Sequence, residues 1–560
     1  HNTNNQPVIK DGVVMVHNGI VCNVDALWAK HATEITRNYE VDTEVIAARY
    51  RSGLRSGQGP AEAIASFFAE LEGAASVAII ADDLVQVVLA TNTGSLYALN
   101  SEAGQLFVFA SEEYILRTFR DSPENKSMLG HLSVQWIEPF TGLVISQHDH
   151  RVDPFSFGAK VDLTQEPIAQ VKRAKASITD HSTPSGPATP SVGSSNMKQL
   201  EALLTYPIER IRSLKRCAKC LLPDTFPYIN YDPQGVCNYC ANYRVKELTR
   251  DRRPEFREVL DRYRRTNGKQ DCVVAFSGGR DSSYGLHLLV EEFGMKPLTF
   301  TYDWGMVTDL ARRNIARITG KLGVENILVS ADIKRKRENI RLNVEAWLKQ
   351  PRLGMIPLFM AGDKHFFVHV NNIRRQTGIP CDIWMENKLE NTDFKAGFAG
   401  IRPDFAKKRI DKQGTLAKLQ MPLYYLRNFI GNPAYLNRSL SDTFSAFKAY
   451  YVEPREVYLL LFDYIPWDEA TIERTLIDGY NWELAADTKS SWRIGDGTAA
   501  FYNYIYTTVA GFSEFDTFRS NQIREGMMAR EEALRRIDEE NRPRYPTIRW
   551  YADAVGIDYE

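Results

Sequence analysis

The chain has 560 residues, 25% of them charged and 44% hydrophobic, with a formal net charge of -1. That length accommodates about two to four domains with sizeable cores, and the charge balance excludes a partner held chiefly by bulk positive charge, so no nucleic acid is expected. No signal-like start and no long apolar run is present, which points to a cytoplasmic protein with no membrane partner. The sequence opens at His1 rather than Met, so processing or a preceding segment stays in play.

Residues 1–165 alternate short apolar strands with two helical stretches. Strands are expected at 13–16, 77–80, 85–90 and 106–110, and helices at 43–50 and 60–72. Their order predicts an α+β domain of stacked antiparallel sheets with helices. His17-Asn18-Gly19-Ile20 follows a strand, and Asn-Gly is a strong hairpin signal. Val41-Asp42-Thr43-Glu44 opens a helix with Asp42 as its N-cap.

Together with Asn2 to Pro7, Leu71-Glu72-Gly73 and Ala110-Ser111-Glu112, these motifs resemble the glutaminase domain of class II glutamine amidotransferases, most closely the version in glucosamine-6-phosphate synthase. The resemblance implies that Asn18 and Gly19 form an oxyanion hole and that Asp42 and Asn18 bind glutamine; such donors are worth about 3–4 kcal/mol of barrier. It also implies a nucleophilic cysteine at the mature amino terminus, in a segment preceding the position where His1 aligns. Cys22 does not replace it and reads as a small apolar filler. Either about seventy residues of the family pattern stand before His1 or the glutaminase is inactive. The first is favoured, because a domain without those strands exposes its own core.

Residues 166–197 read as a flexible linker, because from Ala174 to Met197 the composition turns to Ser, Thr, Pro and Gly. A helix is expected over 198–212, within a small unit spanning 198–250. Cys217 and Cys220, then Cys237 and Cys240, have the spacing of a closed tetrahedral Zn²⁺ site, structural rather than catalytic. Buried thiols, disulfides and an iron–sulfur cluster are the alternatives. Cys217-Ala-Lys-Cys-Leu-Leu-Pro-Asp-Thr-Phe-Pro227 and Asp232-Pro-Gln-Gly-Val-Cys-Asn-Tyr-Cys240 resemble the N-acetyl sugar amidotransferases of bacterial surface-polysaccharide (O-antigen) synthesis, over about residues 215–545.

Residues 251–560 alternate strands and helices, which predicts an α/β doubly wound domain with ligands at the carboxyl ends of its strands. A buried strand, 273–276, runs into Ser277-Gly278-Gly279-Arg280-Asp281-Ser282-Ser283 and then a helix. Two glycines permit the tight turn, the helix start offers N–H groups to an anion, and Asp281 suits Mg²⁺. No Walker A spacing is present. These seven residues resemble the signature of the PP-loop ATP pyrophosphatases, which implies that they bind ATP.

Tyr302 and Asp303, ending the next strand, are candidate nucleotide neighbours. Lys364, within Gly362-Asp363-Lys364-His365, is a candidate catalytic cation. Glu386, Asn387 and Glu390, within Glu386-Asn-Lys-Leu-Glu-Asn391, and Arg493, Asp496 and Arg524 are candidate substrate ligands. The implied activity is an ATP-dependent carbon–nitrogen ligase that takes ammonia from glutamine, adenylates an oxygen of a sugar or sugar nucleotide and replaces it with nitrogen. Self-association is left open. Two competing readings are a tRNA-thiolating PP-loop enzyme, for which Cys381 is the candidate catalytic cysteine, and a non-catalytic scaffold with a decayed glutaminase.

Overall fold

The computed structural model describes residues 5–101, 106–158, 167–178, 197–266, 268–360, 363–390, 392–403, 405, 415–453 and 457–559. Residues 1–4, Gly362, Asn391 and 179–196 of the expected linker lie outside them.

The amino-terminal strands are β1 (Val8–Lys10), β2 (Val13–Val21), β3 (Gly73–Ala81), β4 (Gln86–Thr91), β5 (Tyr97–Asn100), β6 (Phe107–Ala110), β7 (Gln135–Trp136), β8 (Thr141–Ser146) and β9 (Val152–Ser156). They form an antiparallel sheet in the order β1-β2-β3-β4-β8-β9 and a smaller one in the order β6-β5-β7. Alternation explains which face is covered: Val13, Met15 and His17 are buried, whereas Val16 and Asn18 are exposed. The buried face packs on helices Thr43–Arg55 and Pro60–Phe68 through Ile46, Tyr50, Ile64 and Phe67. On the other face, Leu89 and Ile145 meet Leu96 and Ala98 of the smaller sheet.

Three expectations need correction here. Asn18 and Gly19 are not a hairpin turn but the continuation of β2, paired with Ser76 and Ala75. Gly19 has φ +145°, and a Cβ there would lie 2.0 Å from the Ala74 carbonyl oxygen, so glycine alone lets the strand continue. The domain also runs past 165. Val85 N–H donates to Val171 O (3.0 Å) and Ala176 N–H to Asp82 O (2.8 Å), so 167–178 folds back along it. Thirdly, the helix expected over 198–212 is two helices, Met197–Ala202 and Ile208–Ser213, separated around Pro207, which removes a backbone donor.

The carboxy-terminal sheet is wholly parallel. Its strands β10 (Cys272–Ala275), β11 (Pro297–Asp303), β12 (Asn326–Ser330), β13 (Cys381–Trp384) and β14 (Tyr458–Leu460) lie in the order β12-β11-β10-β13-β14. Cys272, Val273 and Val274 are fully buried, as a central parallel strand requires. Strand order reverses beside β10, so a crevice opens at its carboxyl end.

Helix Asp309–Leu322 joins the two domains. Thr308 caps it by accepting from Ala311 N–H (3.2 Å), and Gly323 ends it at φ +65°. It lies against β2 and β3 so closely that a Cβ on Gly320 would sit 1.8 Å from the Gly73 carbonyl oxygen. Beyond it, the Tyr97 hydroxyl donates to Glu325 Oε2 (2.6 Å) across the seam.

Candidate functional site

The Ser277–Ser283 loop leaves β10 at the crevice and enters helix Arg280–His287. Gly278 has φ +70°, and a Cβ there would come within 2.6 Å of Ala311 O and 2.7 Å of Ile315 Cγ1, so the joining helix presses directly on the turn. Trp482 Nε1–H holds the Gly278 carbonyl (3.1 Å). Ser277 Oγ accepts from Gly279 N–H (3.3 Å) and lies 3.1 Å from Ser282 Oγ. Among the described residues the buried Ser283 hydroxyl has no partner. Exposed Ser277, the glycine turn and a free helix start together form an anion cradle.

Arg280 does not join that cradle through its side chain. Its guanidinium is buried, donating to Glu469 Oε1 (2.9 Å) and Ser491 Oγ (3.1 Å) and stacking over Trp467. It thereby fixes Asp281, whose Oδ1 accepts from Arg280 Nε (3.1 Å) and Trp467 Nε1 (2.9 Å). Asn387 Nδ2 lies 3.5 Å from the second Asp281 oxygen.

Glu390 faces Asp281. Burial, and secondarily the Asp281 charge, push its carboxyl up to about 7 against the pull of Arg493, and Trp492 Nε1 donates to it (2.7 Å). Two carboxyls beside a phosphate cradle are the donor set that Mg²⁺ shares with nucleotide phosphates. The residues are therefore chemically compatible with Mg²⁺, which Asp281 and Glu390 would hold.

Arg493 adopts φ +57°, an uncommon conformation for a long side chain, and lies 3.8 Å from Glu390 and 3.6 Å from Glu514. Glu514 and Lys395 escaped the sequence reading. They form a buried pair (2.6 Å), with Tyr502 OH donating to Glu514 (2.9 Å). Burial would raise the Glu514 carboxyl; Lys395 and Arg493 overcome it and hold it at about 2. Burial pushes the Lys395 ammonium down, and the Arg493 charge adds to this against the pull of Glu514. A signal existed for Glu514, since Ser513 and Asp516 form a capping box around it. None marked Lys395.

The other candidates scatter. Asp496 accepts from Thr498 N–H (2.9 Å) where its loop crosses Val307. Lys364, half exposed, pairs with Asp363 (3.4 Å). Glu386 is exposed and accepts from the Tyr458 hydroxyl. Tyr302 is half-buried against His369, with ring centroids 4.8 Å apart. Asp303 is spent structurally: it is buried, accepting from Gly305 N–H (2.9 Å) and Arg312 Nη2 (2.6 Å).

Arg524 corrects another expectation, because it faces sulfur rather than phosphate. Its Nε lies 3.2 Å from Cys240 Sγ and its Nη2 3.3 Å from Cys220 Sγ. The four buried sulfurs of Cys217, Cys220, Cys237 and Cys240 all lie within 4.8 Å of one another. The Cys217–Cys240 and Cys220–Cys237 separations are 4.0 and 3.8 Å. A tetrahedron with Zn–S bonds of about 2.3 Å has edges of about 3.8 Å, whereas a disulfide needs about 2.05 Å. The residues thus fit a closed Zn²⁺ site, and Arg524 offsets part of the thiolate charge.

Cys381 lies in the sheet core opposite Cys272, and burial pushes its thiol up to about 12, which suits no catalytic thiolate. Cys22 donates to Arg313 O (3.5 Å), and burial likewise holds its thiol at about 12.

At the far end of β2, Asn18 and Gly19 are exposed and Asp42 lies beside them. Asp42 was expected as a side-chain cap; instead its Oδ2 accepts from Val21 N–H (2.9 Å), tying the helix start to the strand. His17, buried between, lies 3.8 Å from Asp42 and 3.4 Å from the Thr43 hydroxyl; burial lowers its affinity for a proton. An exposed strand edge, a fixed carboxylate and a helix start converge here.

Residues 1–118 match the family model described as a glutamine amidotransferase domain. The amino-terminal domain is a glutamine amidotransferase domain. Similar proteins include an uncharacterized protein of Methanocaldococcus jannaschii, 29% identical over 119 residues, covering 21% of this chain and 43% of that one. The glutamine–fructose-6-phosphate aminotransferase of Bartonella henselae is 32% identical over 120 residues, covering 21% of this chain and 20% of its own length. The chain therefore spans less than half the length of either relative. Among solved structures, NMN synthetase from Francisella tularensis is 11% identical and covers 53% of this chain and 92% of its own, with a TM-score of 0.26, a likeness too loose to define the fold. Among the described residues no helix is long and apolar enough to cross a membrane.

Proposed function

We propose that the chain is a glutamine-dependent, ATP-consuming amidotransferase acting on a sugar or sugar nucleotide, in the assembly of bacterial surface polysaccharide. The observation that carries this reading is the Ser277–Ser283 cradle at the end of β10, with Asp281 and Glu390 beside it, packed on a helix whose other end rests on the amidotransferase domain.

In this reading Asn18 and Gly19 stabilise the oxyanion formed on glutamine, and Asp42 holds its α-amino group. Ammonia passes to the cradle, where the loop N–H groups and Ser277 hold the ATP phosphates; Asp281 and Glu390 would hold Mg²⁺, which would offset phosphate charge. A sugar oxygen attacks the α-phosphorus and pyrophosphate leaves. Ammonia then adds to the activated carbon, and that oxygen departs with AMP. Arg493 and Lys395 supply positive charge where the pentacoordinate phosphorus develops.

The test is incubation with ATP, Mg²⁺, ammonium and a panel of nucleotide-linked acetamido and uronic sugars. AMP, pyrophosphate and a sugar carrying new nitrogen support the reading. ATP binding without AMP release across the panel refutes the sugar assignment, and no ATP binding refutes the cradle.

A further inference from the structure

Helix Thr415–Gly431 is apolar on both sides. Tyr424, Tyr425 and Phe429 pack on the core beneath it, and Asn428 is buried with them. The opposite side is bare. Leu423, Leu426 and Ile430 are 62%, 54% and 72% exposed, and Ile430 is the most exposed large apolar side chain among the described residues. At the helix end Asn432 Nδ2 donates to Ala346 O (2.6 Å) and Gly431 faces Gln350, which brings the 57% exposed Leu348 to the same place. A helix that is apolar all round belongs where both faces are covered.

The spacing indicates the cover. Residues 423, 426 and 430 recur at three and four, and the sequence carries the same spacing back through Leu419 and Leu416. That is the a/d pattern of a seam shaped to receive the side chains of a second helix. A helix lying on lipid instead carries a wide apolar face bordered by several Lys and Arg. Here Arg427 is the only charged residue from Gln420 to Gly431, and no Asp or Glu occurs from Thr415 to Ser441. Nothing on the face calls for an ionic partner, so two copies of it can meet without leaving a charge in need of its complement.

The area agrees. At roughly 100 Å² of bare side chain apiece, the four residues offer about 400 Å². A standard interface takes about 800 Å² from each partner, a little over half of it apolar. The face is therefore the size that one copy contributes to a stable pair.

We propose that the chain pairs with a second copy of itself through this face, the two helices packing seam to seam across a two-fold axis. The next α-helix, Ser439–Tyr451, packs on the Asp363–His365 turn, and Ser445 Oγ lies 2.9 Å from His365 Nε2. Pairing thus buttresses the turn that carries Lys364.

The test is sedimentation velocity of the full chain from about 0.5 to 50 μM, a range that brackets micromolar association. A species of twice the 63.8 kDa chain mass is expected. The triple variant Leu423→Glu, Leu426→Glu, Ile430→Glu should weaken pairing at least about 100-fold. Its thermal melt by circular dichroism should match the parent's, because the replaced side chains already face water. The triple variant Leu423→Lys, Leu426→Lys, Ile430→Lys should also be monomeric alone, and a mixture of the two should pair, since opposite charges then meet across the seam. Leu426→Ala is milder and should weaken pairing about tenfold, which keeps the test decisive if the charged variants fold poorly. Met128→Glu alters an equally bare residue of the other domain and should leave pairing intact. The proposal is overturned if the parent stays monomeric at about 50 μM, whether or not it then binds phosphatidylglycerol vesicles, which would give the face to a membrane. It is equally overturned if Leu426→Ala or the Glu variant pairs like the parent, if the mixture stays monomeric, or if Met128→Glu dissolves the pair.

Discussion

Replacing Glu325 by Gln should change how the stability of the whole chain depends on pH. Burial, followed by the charges of Glu112 and Glu113, pushes the Glu325 carboxyl up to about 8 from an ordinary 4.5, even though the Tyr97 and Gln270 donors favour the ionised form. The sign follows from proton counting. Between pH 4.5 and 8 the folded chain holds a proton at this position that the unfolded chain has released, so stability falls as pH rises through that window. At about 1.4 kcal/mol per pH unit the loss amounts to about 5 kcal/mol by the top of the window. Gln keeps an oxygen to accept from Tyr97 and Gln270 but has nothing to ionise. The variant should therefore match the parent near pH 5 and exceed it by about 3–5 kcal/mol at pH 8.5. Urea denaturation at both pH values, followed by circular dichroism and by fluorescence, measures the difference. Equal pH dependence in the two proteins, or a variant weaker at pH 8.5, would refute the reasoning.

Four further outcomes are expected. Gly278→Ala forces a Cβ against Ala311 O and Ile315 at φ +70°, costing about 1–3 kcal/mol at the turn, and should weaken ATP binding by at least about tenfold in calorimetry while helix content holds. Cys237→Ser should abolish stoichiometric zinc by elemental analysis and lower the melting temperature, since it opens the sulfur tetrahedron. Arg524→Met removes two donors to sulfur and should cut zinc affinity by about 10–100-fold in chelator competition without altering the metal count at saturation. Gly320→Ala should lower glutamine-driven more than ammonium-driven turnover, because the methyl group pushes the joining helix off β3.

The strand–turn–helix at Ser277–Ser283 and the four-cysteine cluster were legible because each is encoded locally: a strand, a Ser/Gly turn and a helix start within twelve residues, and two short thiol bites. What sequence hid was the destination of long charged side chains. Arg280 and Arg524 both sit in or near motifs that read as ligand-facing, yet their partners are Glu469, 189 residues on, and Cys220, 304 residues back. Only tertiary packing brings those together. The Lys395–Glu514 pair, 119 residues apart, was hidden for the same reason. Asn18-Gly19 misled differently: the same glycine freedom that makes a hairpin also lets a strand pass a neighbouring carbonyl at φ +145°. Pro207 was plainly visible and should have divided the expected helix.

Helix Asp309–Leu322 meets Gly73 backbone-to-backbone through Gly320 near one end, and Gly278 through the Ala311 carbonyl and the Ile315 side chain nearer the other. With so little side chain between strand, helix and turn, a displacement of β3 should be felt at the Ser277–Ser283 turn. Chimeras that exchange the first domain between related proteins should fail unless Gly73 and Gly320 travel as a matched set.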